Sequence, residues 1–190
     1  MESLLPEIGL MFINMFFGLY LLLILLRFLF QLVRADFYNP ISQFILKATN
    51  PLLIPIRRVI PGIKGLDIPS LILAMAVQIL GVVLVLLIIG AGLDPISIVI
   101  WSALLIIGLI LQIYFFSLII MVIASWVAPQ SHNPALALIH QLLEPVTKPI
   151  RNILPDMGGI DLSPILIFFI ITILKKVVLV YIPPVLSMFV

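Results

Sequence analysis

Two arginine–aspartate pairs recur in this chain with the same spacing. Arg57 precedes Asp67 by ten residues, and Arg151 precedes Asp161 by the same interval. A guanidinium group matches a carboxylate with two parallel hydrogen bonds, which an ammonium group does not, so the repeated arginine predicts an ion pair in each segment. Each aspartate has a helix N-cap as its alternative role. For Arg57 and its neighbour Arg58, the alternatives are topology-setting charge and contact with anionic lipid headgroups.

No combination of residues predicts catalysis or a bound metal or cofactor. The chain has no cysteine, which excludes thiolate ligands, disulfides and cysteine nucleophiles. Its two histidines, His132 and His140, are eight residues apart and lack the i, i+4 spacing of paired metal ligands on a helix. The basic residues form no recognisable nucleic-acid-binding motif. We therefore expect a protein that is not an enzyme, needs no cofactor and binds no nucleic acid.

Three cations interrupt apolar stretches, where a charge is costly. For Arg27, the alternatives are extension towards the membrane interface and contact with the inner bundle or a lipid headgroup. Lys175 and Lys176 lie near the middle of the last apolar stretch. They either line a water-filled crevice or reach the outer surface because their helix is tilted or broken. The amides of Gln78 and Gln112 are expected to hydrogen-bond between helices.

The elements that must position these residues are membrane-spanning helices. The composition is 64% hydrophobic and 9% charged, whereas about a quarter of the residues in a soluble domain are charged. Four stretches are long enough to cross a bilayer core of about 30 Å, namely 8–33, 71–93, 96–127 and 165–183. The first is longer than the apolar region of a secretory signal and follows no Lys or Arg, so we expect an uncleaved span.

The spans belong to a repeated unit. A gapless shift of 94 positions aligns residues 39–71 with residues 133–165 and leaves ten of 33 positions identical. We therefore predict an all-α membrane protein with four transmembrane helices, arranged as two parallel two-helix repeats over 8–93 and 96–190. Their connecting loops cover 34–68 and 128–163. Because each repeat contains an even number of spans, both loops emerge on one face.

The two loops share a pattern of helix signals. Asn39-Pro40 and Asn133-Pro134 each suit an N-cap followed by the first helical position. Apolar residues at 41, 44, 45 and 48 follow at helical spacing, which predicts a short amphipathic helix in the membrane interface. Because proline disrupts a helix interior, we expect the chain to turn at the matched prolines and not to continue as one helix. These are Pro51, Pro55 and Pro61 in the first loop and Pro145, Pro149 and Pro155 in the second.

The distribution of positive charge predicts the orientation. The long loops hold seven Lys and Arg residues, whereas the N-terminal segment and the turn around Asp94 hold none. The positive-inside rule places both loops in the cytoplasm and both termini outside. The seven residues are Arg34, Lys47, Arg57, Arg58, Lys64, Lys148 and Arg151.

The loop sequences resemble those of the YggT family over essentially the whole chain. The resemblance rests on residues 36–40, 55–61 and 65–67 of the first loop and on residues 149–155 and 158–164 of the second. The doubled Pro-Ile-Arg and Gly-x-Asp patterns are specific to it. Asn152 departs from the first copy, which has Arg58.

The resemblance implies a multi-pass protein of the bacterial cytoplasmic (inner) membrane. It also implies a link to osmotic or salt tolerance and potassium handling, because bacterial members are associated with these. Plant and cyanobacterial relatives are associated with haem assembly in the cytochrome b6f complex or with nucleoid distribution. Such scattered roles favour a non-enzymatic membrane scaffold or assembly factor that contacts the lipid bilayer, anionic headgroups, a membrane-protein partner or its own copies. The alternative is a small channel or transporter subunit that affects potassium or osmolyte flux.

Overall fold

The computed structural model describes residues 4–62, 65–127, 132–154 and 161–189, and the fold in these ranges is helical. Within the described ranges, six α-helices follow one another, and a 3-10 helix, Pro184–Phe189, comes after them. The α-helices are α1 (Leu4–Leu32), α2 (Pro40–Val59), α3 (Ile68–Ile88), α4 (Pro95–Val127), α5 (Pro134–Ile153) and α6 (Ser163–Val180).

Four of these helices, α1, α3, α4 and α6, are long and apolar enough to cross a membrane. The prediction of four apolar membrane helices is thereby confirmed, although the boundaries move. Helix α3 begins at Ile68, three residues before the apolar run. Pro69 is tolerated in the first turn, because the N–H groups of a first turn have no acceptor within the helix. Helix α6 ends at Val180, ahead of Pro183 and Pro184, which cannot donate to a continuing helix.

The core joins the membrane helices to the helices of the loops. Leu21, Ile24 and Leu25 of α1 pack with Leu53 of α2 and Leu142 of α5 in one buried cluster. A second cluster joins α3 and α4 with the 3-10 helix, and a third joins α4, α5 and α6. Outward-facing apolar side chains cover much of the remaining surface of the long helices, as expected for helices in contact with lipid tails.

The prediction that prolines interrupt the loop helices is wrong for α2 and α5. Each runs unbroken for 20 residues with two prolines inside, Pro51 and Pro55 in α2 and Pro145 and Pro149 in α5. All four prolines lie on the exposed side of their helix. The carbonyls that lose a hydrogen bond therefore lie on the outward side of each helix, away from the core. The buried side of each helix keeps its hydrogen bonds and its packing.

The beginnings of α2 and α5 are hydrogen-bonded to each other's segments. The Asn39 Nδ2 donates to the Pro134 carbonyl at 2.8 Å, and the Asp36 N–H donates to the Gln141 Oε1 at 2.8 Å. Each helix is also capped as its sequence suggests: the Asn39 Oδ1 accepts from Ile41 N and the Asn133 Oδ1 from Ala135 N. The two loop helices are therefore held together at the point where the two halves of the chain meet.

Candidate functional site: a buried arginine–aspartate network

Asp67, at the start of α3, is the centre of a polar network inside the bundle. Its carboxylate is 1% exposed. The Oδ2 atom accepts from Arg57 Nη2 at 2.6 Å and from Ser70 Oγ at 2.5 Å. Although Asp67 precedes the helix, its side chain makes no capping hydrogen bond to a backbone N–H. Its carboxylate thus ties α2 to α3 and does not act as a helix cap.

Arg27 extends this network from the C-terminal end of α1, five residues before the helix ends at Leu32. Its guanidinium donates from Nη1 to Thr49 Oγ1 at 2.6 Å and to Asn50 Oδ1 at 2.8 Å. The Nε atom lies 3.9 Å from Asp67 Oδ2, and the residue is 5% exposed. Of the alternatives for Arg27, these contacts favour the one with the inner bundle. The side chain turns into the bundle because acceptors from α2 and a carboxylate from α3 compensate its charge there.

The second loop contains the matching pair in a more open setting. Arg151 contacts Asp161 Oδ2 through both Nε and Nη2 at 3.0 Å, and the two side chains are 50% and 37% exposed. Partial burial opposes ionisation of Asp161. Hydrogen bonds from the Ser163 hydroxyl and N–H and the charge of Arg151 outweigh that effect, so the pKa of Asp161 lies below its ordinary value. The position 94 residues after Arg27 is Met121, so this pair lacks the counterpart of Arg27.

The lysine pair of α6 is split between two environments. The Lys175 Nζ donates to Gln112 Oε1 of α4 and lies 5.3 Å from the centre of the Phe115 ring. Lys176 is exposed and lies only four residues before the end of α6. Lys175 therefore joins two membrane helices, and the two lysines do not act as one pair. The amide of Gln78 is buried, and its Nε2 has no hydrogen-bond partner within the described ranges.

The other predicted site residues lie around these contacts. Arg58 is exposed on α2, and Pro40 and Pro134 occupy the first positions of α2 and α5. Lys64 and Pro155, together with the Gly158-Gly159 part of the second Gly-x-Asp pattern, lie outside the described residues. Within those residues, no cluster of three or more His, Cys, Asp or Glu side chains could hold a metal ion.

Sequence reasoning did not identify the neutral partners of the network. Oxygen atoms of Thr49 and Asn50 accept from Arg27, and the Ser70 hydroxyl donates to Asp67. The Gln31 Oε1 accepts from Arg57 Nη2 at 3.3 Å. One signal was available for Thr49, because it lies on the same helical face as the apolar residues that α2 buries. A threonine on such a face needs a hydrogen-bond partner.

A comparison with known families tests the resemblance that the loop sequences indicate. The family model described as CCB3/YggT matches the chain twice, over residues 7–88 and over residues 100–182. The chain belongs to this family.

Relatives in the YggT family cover most of the chain. An uncharacterized protein of Pseudomonas aeruginosa, PA0392, is 48% identical over 164 residues, which are 85% of this chain and 83% of that protein. A Vibrio alginolyticus protein encoded in the proC 3' region is 40% identical over 82% of this chain and 85% of its own length. The uncharacterized YggT protein of Escherichia coli (strain K12) is 35% identical over 83% of this chain and 81% of its own length. No solved structure matches the chain.

Proposed function

We propose that this YggT family member is a non-enzymatic membrane scaffold, which presents α2 and α5 as a rigid platform on the cytoplasmic face of the inner membrane. One observation carries the proposal: the buried Asp67 network locks α2 to both α1 and α3. Its charged groups pair with one another and with neutral side chains of the neighbouring helices. Buried hydrogen bonds and ion pairs between helices restrict the movement of those helices relative to one another.

The exposed side of α2 supports an interfacial position. It combines apolar residues, such as Phe44 at 62% and Val59 at 80% exposure, with the cations Lys47 and Arg58. Apolar and cationic residues together on one helix surface are typical of helices that lie at a membrane surface or bind a membrane-protein partner. Tyr38 and Trp126, both more than 80% exposed, follow α1 and end α4, respectively, as expected for aromatic residues at the headgroup level.

We also propose that the chain consists of two parallel repeats related by a rotation of about 180° about the membrane normal. The double match to one family model, the equal lengths of α2 and α5 and the contact between their beginnings support this arrangement. Both loops then share one face, and the excess of Lys and Arg in them assigns that face to the cytoplasm.

A channel or transporter role is the competing hypothesis. The contact of Lys175 with Gln112 favours it, because polar groups between membrane helices can mark an ion pathway. The structural explanation of the contact is an interhelical hydrogen bond, which satisfies two polar groups without neutralising the charge of Lys175.

Potassium flux and complementation distinguish the two hypotheses. We expect purified protein in liposomes to pass potassium no faster than empty liposomes do. Complementation is measured in a deletion strain grown at high salt. We expect the double variant Phe44→Ser, Val59→Ser to accumulate normally but not to restore growth. The variant Lys175→Met should restore growth. Potassium flux that Lys175→Met abolishes would contradict the scaffold and establish the channel.

A further inference from the structure

A pocket of about 380 Å³ lies where α1 ends and α2 begins, and arginine dominates its polar wall. Arg27, Arg34 and Arg57 line it together with Gln31, and the rings of Phe30 and Phe37 supply an apolar wall. Its volume is within the range of small-molecule sites, about 300–1,000 Å³. We refer to it as the arginine pocket.

The arginine pocket carries an excess of positive charge. Asp67 accepts from Arg57 and lies near Arg27, and Asp36, next to the lining residues Ala35 and Phe37, is the other nearby carboxylate. Three guanidinium groups thus line the pocket, whereas no carboxylate is among the described residues that line it. The Nε of Arg27 is buried without a hydrogen-bond partner among the described residues. Because three guanidinium groups line the cavity, its charge favours an anion as the occupant.

The backbone at Arg34 is a second and independent observation. Helix α1 ends in a Schellman motif: Ala35 N donates to Phe30 O at 2.8 Å and Arg34 N to Gln31 O at 3.2 Å. Arg34 has φ 56°, a left-handed conformation that favours glycine. Helix α3 ends in the same motif with Gly90 at the equivalent position, φ 67°. The end of α1 thus keeps an arginine where the backbone prefers glycine, and strain of this kind clusters at ligand sites.

The second loop shows what the same fold looks like without this charge. A pocket of about 540 Å³ lies in the corresponding place, with Met121 at the position of Arg27 and His140 and Glu144 on α5. Among the described residues that line it, Arg151 is the only arginine, and Glu144 and Asp161 are the two carboxylates. The cationic character therefore belongs to the first pocket alone among these two, and it is not a general consequence of the repeat.

We propose that the arginine pocket binds the phosphate group of an anionic phospholipid, such as phosphatidylglycerol, at the loop-side end of α1. Guanidinium groups bind phosphate through several charge-assisted hydrogen bonds. The apolar wall of Phe30 and Phe37 suits the glycerol and the first acyl carbons, which a soluble phosphate lacks. The inference does not depend on the scaffold hypothesis, since a channel could hold the same lipid.

Binding of phosphatidylglycerol to protein in phosphatidylcholine nanodiscs tests the proposal. Arg34→Gly removes one pocket cation and relieves the left-handed backbone strain, so it should weaken binding about fivefold without lowering the unfolding temperature. Arg58→Gln is the matched control, because it removes a cation from the same loop outside the pocket lining. It should change the affinity less than twofold. Arg27→Met, which introduces the residue of the second loop, should weaken binding at least as much as Arg34→Gly.

Two results would overturn the inference. Equal losses of phosphatidylglycerol affinity for Arg34→Gly and Arg58→Gln would show that the lipid is attracted by surface charge in general and not bound in a specific pocket. An unfolding temperature that rises with millimolar inorganic phosphate but not with phosphatidylglycerol would assign the pocket to a soluble phosphate and not to a lipid. Because lipid binding is measured on purified protein, failure here leaves the complementation result for the scaffold unaffected.

Discussion

At the scale of single residues, the two copies of one Arg–Asp motif are placed in different environments. Asp67 is buried, and its carboxylate lies within reach of two arginines, whereas Asp161 is more than a third exposed and contacts one. Ion pairs at exposed sites contribute about 0–1 kcal/mol, whereas removal of one partner of a buried pair costs about 3–5 kcal/mol. The Arg–Asp pair should therefore contribute much more to the free energy of unfolding in the first loop than in the second.

A double-mutant cycle checks the coupling of Arg57 to Asp67. Asp67→Ala should lower the free energy of unfolding by about 3 kcal/mol, because it leaves Arg27 buried without a counter-charge. Arg57→Ala should cost about 1–2 kcal/mol, since Arg57 is partly exposed and Arg27 remains near the carboxylate. The double mutant should lose less than the sum of the two. Denaturation in detergent provides the measurement, and strictly additive losses would mean that the residues do not interact.

The Arg151–Asp161 cycle is the matched control for that experiment. We expect each single substitution there to cost less than about 1 kcal/mol, because water screens the exposed pair. If these substitutions lower the free energy of unfolding as much as those at Arg57 and Asp67, the difference in burial between the two pairs does not determine their contribution to stability.

The lowered pKa of Asp161 predicts a pH dependence. Because its pKa is lower in the folded protein than in the unfolded chain, ionised Asp161 stabilises the fold. That contribution is complete above the ordinary aspartate pKa, about 3.9, and is lost as the pH falls through the lower folded value. The difference in unfolding temperature between the parent protein and Asp161→Asn should therefore shrink below about pH 4. A difference that stays constant down to pH 3 would show that Asp161 does not titrate there.

At the scale of the elements, the prolines of α2 and α5 are tolerated because of the side on which they lie. Pro51 and Pro55 are four residues apart and therefore share one face of α2, together with the exposed Lys47. Leu53, between them in sequence, faces the core and is fully buried. The helix keeps its buried face intact and exposes the carbonyls that proline leaves without a donor.

Pro51→Ala should therefore not destabilise the protein. Alanine restores an N–H donor to the Lys47 carbonyl and has a higher helix propensity, so we expect equal or greater resistance to thermal unfolding in detergent. The control is Leu53→Ala, two residues away, which should cost about 2–5 kcal/mol because it leaves a cavity in the core. A large loss of stability for Pro51→Ala would indicate that the proline maintains a bend on which the packing of α2 depends.

At the scale of the whole molecule, the orientation in the membrane is open to a direct test. The chain has no native cysteine, so single cysteines can be introduced without a background reaction. With the loops in the cytoplasm, Lys47→Cys and Lys148→Cys should resist a membrane-impermeant thiol reagent in intact cells and react after permeabilisation. Ala91→Cys, in the exposed turn between α3 and α4, should react in intact cells. Labelling at position 47 in intact cells would invert the assignment.

The sequence by itself determined the features that depend on local composition or on short separations along the chain. Runs of apolar residues indicate the four membrane helices because the bilayer demands a stretch of fixed length. The pairing of Arg57 with Asp67 was also predictable, because the two residues are only ten positions apart in the sequence. The Asn-Pro signals predict the beginnings of α2 and α5 for the same reason.

Only the tertiary structure decided what depends on the side of a helix that packs and on distant neighbours. The inward direction of Arg27 requires Thr49 and Asp67, which lie 22 and 40 residues further along the chain. The unbroken course of α2 follows from the exposure of its prolines, and exposure is known only when the helix is packed. The unequal charge of the two pockets depends likewise on which side chains meet when α1 and α4 pack against their loop helices. Such contacts form between elements, so the pattern of either element alone does not contain them.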